Sequence, residues 1–324
     1  MDRRSFLGVG VSASGLMLTG GVSAQAAFPS RPIRIFVPFA AGGPTDTMAR
    51  SLADKLSPAL GQPVIVENRP GGGAQIAVAV MKQLPPDGHA IFIGDVSSLA
   101  INPSLYRNLS YDPIKDFQPL STLFSAPSMM FVAPNSPFKS LGDLVYAAKS
   151  GRSITMASTG AGTGGHIGLE MLKYMAGIDI VHVPYKGGVP ALVDIMGGQV
   201  DAMFAVLPSA LTQAQAGKVR FIAAGTSKRL PAFPDVQTTA EAGFPDLTMD
   251  VWFAAVARAG TPDPVVRRLS TEIGRAMRDP ALVKHFVELG FSVEPSTPEQ
   301  LGALMKSEVV RWGAVVRRSG AKAD

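Results

Sequence analysis

Short apolar runs alternate along this chain with longer stretches in which apolar residues recur every three or four positions. Ile33-Arg34-Ile35-Phe36-Val37 predicts a buried strand that ends in the glycine turn Ala41-Gly42-Gly43-Pro44. Met48, Leu52, Leu56 and Leu60 follow at i+4 spacing, the stripe of an amphipathic helix, and Gly61 stops it. Val64-Ile65-Val66 predicts a second strand, Asn68 to Gly73 a glycine-rich structural turn, then a helical stretch to Gln83 and a third strand at Ala90 to Gly94. This rhythm predicts a mostly parallel sheet with helices on both faces.

The pattern loosens after Asn102, where prolines recur and an extended run covers Leu120 to Ala133. It then restarts. Ser140-Leu141-Gly142-Asp143 reads as a capping box that opens a helix through Lys149. Strands are predicted at Ile154–Ala157, Val181–Val183, Ala202–Val206 and Val219–Ala224, with helices at His166–Ala176 and Val189–Met196. A proline-rich zone spans Ser227 to Thr248, followed by a strand at Val251–Ala257 and helix to the end, striped by Val265, Leu269, Ile273 and Met277. Two α/β modules thus flank two crossings, near residues 122–128 and 246–252. The expected domains are 27–125 with 250–324, and 126–249, joined by a double hinge.

Composition narrows the function. The 324 residues are 46% apolar and 17% charged, which is globular, and cysteine is absent. That absence excludes disulfides, thiol catalysis and cysteine–zinc sites. Residues 1–26 read as a twin-arginine export signal: Arg3-Arg4 before Phe6-Leu7, an uncharged stretch to Val22, and a small-x-small site at Ala24-Gln25-Ala26. The expected location is therefore periplasmic. The formal charge of +5 becomes about +4 without Arg3, Arg4 and Asp2, and the basic residues are scattered. No nucleic-acid footprint is present.

Gly160-Ala161-Gly162-Thr163-Gly164-Gly165 satisfies G-x-G-x-x-G, but the next strand ends in His182-Val183-Pro184-Tyr185-Lys186, with no acid to hold a ribose. No nucleotide or other cofactor is expected. What survives is an anion site, with glycines exposing backbone N–H groups at a helix N-terminus. The Gly42–Asp46 turn offers the same geometry, with Thr45 and Asp46 either capping the helix or touching a ligand. His166 opens the helix behind the glycine turn and is a contact candidate. Tyr185 is placed either to close over a ligand or to pack on the surface. Neither G-x-S-x-G nor H-E-x-x-H occurs, so these catalytic constellations are missing and no metal site is expected.

Val37-Pro38-Phe39-Ala40-Ala41-Gly42-Gly43-Pro44-Thr45-Asp46 resembles the opening of the tripartite tricarboxylate transporter substrate-binding proteins, the Bug receptors. Glu67-Asn68-Arg69-Pro70-Gly71-Gly72-Gly73, Pro86-Asp87-Gly88, Val183-Pro184-Tyr185-Lys186-Gly187-Gly188, Gly198-Gln199-Val200-Asp201 and Gly260-Thr261-Pro262 are similar too, collinear over nearly the whole chain. The resemblance implies a type II periplasmic binding fold that holds a small carboxylate between its domains. It implies a monomer that hands a dicarboxylate, amino acid or aromatic acid to membrane transporter subunits. A sensor-coupled receptor and a carboxylate-processing enzyme are the alternatives. Carried onto this chain, the site comprises Phe39, Ala41, Gly42, Gly43, Thr45 and Asp46 from the first turn. Ser158, Thr159, Gly160, Gly162, Thr163 and His166 come from the second, with Ser98, Pro184, Tyr185 and Asp201 beside them. Gly164-Gly165 and Val256–Ala259 depart from the family pattern and bear on ligand preference.

Overall fold

The computed structural model describes residues 28–322. The predicted export signal lies outside the described residues. The elements run β1 (Ile33–Val37), α1 (Pro44–Leu60), β2 (Val64–Asn68), α2 (Gln75–Lys82), β3 (Ala90–Asp95), α3 (Asn102–Leu105) and β4 (Phe117–Val132). After these come α4 (Leu141–Lys149), β5 (Thr155–Ser158), α5 (Gly164–Ala176), β6 (Val181–Pro184), α6 (Gly188–Met196), β7 (Ala202–Val206), α7 (Leu211–Gln215) and β8 (Arg220–Ala224). The chain closes with β9 (Asp250–Arg258), α8 (Asp263–Met277), α9 (Pro280–Glu288), β10 (Ser292–Val293) and α10 (Pro298–Ser319).

Strand order is β2-β1-β3-β9-β4-β7-β5-β6, with β8 and β10 also paired to β4. β1, β2 and β3 are parallel, as are β5, β6 and β7. The crossing strands β4 and β9 are antiparallel to their neighbours, and β8 and β10 pair antiparallel to β4. β4 pairs with β9 along Phe117–Pro127, then with β7 and β8 from Ser128 onward. At that changeover Ser128 N donates to the Met249 carbonyl at 2.9 Å. The two crossings predicted near 122–128 and 246–252 are therefore adjacent antiparallel strands. The extended run starts three residues earlier than its hydropathy indicates, because Phe117 and Gln118 are already laddered to β9.

Local chemistry explains the elements. Ser140 and Asp143 form the predicted capping box on α4, and Thr297 with Gln300 forms another on α10. α5 lies directly on β7 because its facing residues are glycines. A Cβ at Gly165 would collide with the Phe204 carbonyl, and one at Gly168 with the Phe204 ring. The expectation of unbroken helix to the C-terminus is corrected: β10 interrupts it, laddered to β4. α8 packs on α1, and α10 on β4 and α3, which places the C-terminal helices on the first sheet as predicted.

α10 is held by a buried carboxylate. Glu308 accepts from Trp252 Nε1 at 3.2 Å, Trp312 Nε1 at 2.9 Å and Arg311 at 3.0 Å. Glu308→Ala leaves two buried indole N–H groups without an acceptor, a loss of about 2–4 kcal/mol. Thermal unfolding should show a melting temperature lower by roughly 5–10 °C; an unchanged transition would show that these bonds contribute nothing net.

Candidate functional site

The carboxyl ends of β1, β3, β5 and β6 face one another beside the β4/β9 crossing, and two adjoining cavities lie between them. The larger, about 340 Å³, is walled by Phe39, Gly71–Ala74, Asp95, Ser97, Ser98, Tyr106, Thr159–Thr163 and Pro184–Lys186. The smaller, about 50 Å³, sits against the crossing strands and is lined by Gly43, Thr45, Gly164, Gly165, Gly188, Ser209, Val251 and Phe253. Phe39, Asp95 and Thr159 border both.

Three helices start at the smaller cavity. α1 begins after Gly43, α5 after Thr163 and α6 after Gly187. First-turn N–H groups have no partner within their own helix and carry the positive end of its dipole. Thr45, Gly164, Gly165 and Gly188 bring such groups to the cavity wall. That arrangement binds anions.

The cleft is shut by contacts that cross it. Ala40 N donates to the Lys186 carbonyl at 3.2 Å, and Tyr106 Oη to the Ala161 carbonyl at 3.1 Å. Gly187, at φ +140°, brings its backbone so near Ala40 that an added Cβ would lie 3.3 Å from the Ala40 side chain. Tyr185 Oη donates to Asp194 at 2.6 Å, and burial together with that carboxylate raises its pKa to about 12.

The second glycine loop rests on a stacked histidine pair. His166 and His182 lie 4.1 Å apart at 10°. Gly162 N donates to His166 Nδ1 at 3.2 Å, which puts the ring proton on Nε2. Ser158 Oγ lies 2.7 Å from His182 Nε2 and accepts from Gly160 N at 3.2 Å. Burial pushes both rings down to about 4, with the charge of Lys173 contributing to each.

Of the predicted residues, Phe39, Gly43, Thr45, Ser98, Thr159, Gly160, Gly162, Thr163, Pro184 and Tyr185 line the cavities. Ser158 and His166 stand behind the loop as its supports. Ala41 and Gly42 are exposed on the turn, and Asp46 works within it, accepting from Gly42 N at 2.9 Å and pairing with Arg50 at 3.0 Å. Asp201 is a correction: it precedes β7, so it sits at the amino edge of the sheet, bonded to Thr155 N at 2.9 Å and Arg152 at 3.0 Å. The turn read as structural, Gly71–Gly73, is a cavity wall. Asp95, Ser97, Tyr106 and Gly188 were missed. The available signal for Asp95 was its place at the carboxyl end of β3, where open α/β sheets bind ligands.

A cleft between facing strand ends, floored by helix N-termini and bridged by two hydrogen bonds, is the geometry of a solute-binding protein. Residues 48–321 match the family described as the tripartite tricarboxylate transporter family receptor. The chain is 34% identical over 309 residues to the protein BugT of Bordetella pertussis, covering 94% of this chain and 95% of that one. The structure of the periplasmic binding protein BugD superimposes with a TM-score of 0.86 at 34% identity, covering 91% of this chain and 99% of that one. MatC from Rhodopseudomonas palustris with bound malate gives 0.85 at 32%, covering 89% of this chain and all of that one. The chain belongs to the tripartite tricarboxylate transporter receptor family and has the fold of the periplasmic binding proteins.

Proposed function

We propose that this protein is a periplasmic receptor, without enzymatic activity, that closes on a small carboxylate and delivers it to a membrane transporter of the tripartite tricarboxylate type. The observation that carries the reading is the convergence of three helix N-termini on one cavity between the facing strand ends. Malate in the MatC structure supports the ligand class. The expected domains, 27–125 with 250–324 and 126–249, meet at the β4/β9 changeover, and the cross-cleft bonds of Ala40 and Tyr106 join the two. A solute touching both sides favours the closed form, since only there does it gain all its contacts.

A panel of carboxylates screened by thermal shift tests this. A ligand at a hundred times its Kd stabilises by about 2.7 kcal/mol, several degrees in melting temperature. The bound acid should be recovered unchanged, and small-angle scattering should show compaction relative to the free protein. Turnover of the acid would make the protein an enzyme, and an unchanged envelope on binding would remove the hinge.

A further inference from the structure

Asp95 is a carboxyl group that the anion-binding reading leaves unexplained. It is 4% exposed, ends β3, and borders both cavities. The sharp turn that follows, a π-helical stretch over Ser97–Ile101, holds it in place. Ser98 N and Ser98 Oγ both reach Asp95 Oδ1, at 3.0 and 2.9 Å, and the Asp95 N–H is bonded back to Ser98 Oγ at 3.0 Å. The carboxyl is thus fixed in orientation by its own turn. Ser97 Oγ leans toward the same carboxyl, yet it is buried without a partner at full hydrogen-bond geometry.

An acid with its carboxylate at the helix N-termini of the smaller cavity would place its next carbons toward the border with the larger one, where Asp95 stands. Burial pushes the Asp95 carboxyl up from its ordinary value, so a neighbouring cation favours its charged form and a second anion opposes it. A plain dicarboxylate brings a second negative charge into the chamber that Asp95 shares. An acid carrying an ammonium next to its carboxylate brings the complementary charge, and a charge-assisted N–H···O bond to a carboxylate is among the stronger polar contacts available.

We infer that Asp95 is a specificity-determining residue that receives the 2-ammonium group of an amino acid whose carboxylate sits on the helix N-termini of α1, α5 and α6. The inference rests on the receptor reading above and narrows its ligand class from carboxylates to 2-amino acids. Room for the side chain is provided by the larger cavity, with Tyr106 and Tyr185 on its walls.

Calorimetry with four matched pairs tests it: L-alanine and propionate, L-aspartate and succinate, L-glutamate and glutarate, L-phenylalanine and 3-phenylpropionate. In at least one pair the amino acid should bind tighter than its partner by about tenfold or more, the value of one hydrogen bond to a charged group. Asp95→Asn keeps an acceptor for Ser98 and removes the charge; it should erase that preference, with circular dichroism confirming the fold. If the deaminated acids bind the native protein as well as the amino acids do, the receptor reading stands and the role of Asp95 is wrong. That role is equally overturned if Asp95→Asn leaves an amino-acid preference intact. If no acid of either kind binds, the receptor reading falls and this inference falls with it.

Discussion

Acidifying the protein from pH 7 to pH 4.5 should lower its melting temperature by roughly 10 °C, with much of the loss arising beneath the Ser158–Thr163 loop. His166 and His182 are stacked and buried, and each is pushed down to about 4 from an ordinary value near 6.5. A depressed histidine is neutral in the folded chain while its unfolded counterpart takes a proton. Stability is therefore full above about 6.5 and is lost as the pH falls toward 4, by up to about 1.4 kcal/mol per ring for each unit. Carboxylates also titrate near the bottom of this window, so the native protein must be compared with His166→Asn. That variant removes one titrating ring and offers Oδ1 as an acceptor for Gly162 N. Its stability should fall less steeply with acid; parallel curves would show that the pair has no part in the loss.

The second large effect is on binding. Gly43→Val should weaken the bound acid at least about a hundredfold, because several hydrogen bonds to a charged group, each about 1.5–3 kcal/mol, depend on close access to the N-terminus of α1. Gly43 has φ −81° and ψ 171°, extended backbone that valine adopts freely, and an added Cβ would meet only the Ala40 carbonyl at 3.7 Å. The fold should survive and the smaller cavity should be filled. Gly160 is a poorer test, since φ +142° and a Cβ position 3.2 Å from the Tyr185 carbonyl strain the loop itself. Lys186→Ala should weaken binding by less than about fivefold, because its ammonium is exposed at the rim. Calorimetry on the three proteins decides the matter: normal affinity in Gly43→Val together with lost affinity in Lys186→Ala would replace the backbone mechanism by a side-chain charge clamp.

Much of this architecture is legible in the residues alone. The alternation of β1, α1, β2, α2 and β3 is written in local apolar periods, and the capping box at Ser140 is a purely local device. The two crossings are legible as places where the periods fail. Periodicity carries no information about which strands pair, so the β4/β9 ladder and the small strand β10 emerge only from tertiary contacts. The site divides in the same way. Glycine turns after strands announce Gly43 and Gly160–Thr163, because backbone access needs glycine. Asp201 misleads because a motif match says nothing about which edge of the sheet a residue occupies. Ser97 is hidden because a π-helical turn has no distinct apolar period, whereas Asp95 is legible only by its place at the carboxyl end of β3.

The joint at Ser128 and Met249 has a mechanical consequence. Ladder bonds run from strand to strand, perpendicular to the ribbon's length. β9 is laddered to β3 and β4 to β10, so the β4/β9 ladder belongs to the first module, and a twist would concentrate at the short changeover beyond Pro127 and Asp250. Under the proposed closure such a joint would act as a torsion spring, compliant to rotation and stiff to sliding. In the proposed receptor, the latches that would oppose opening lie at the tips: the Ala40–Lys186 and Tyr106–Ala161 bonds and whatever solute lies between them.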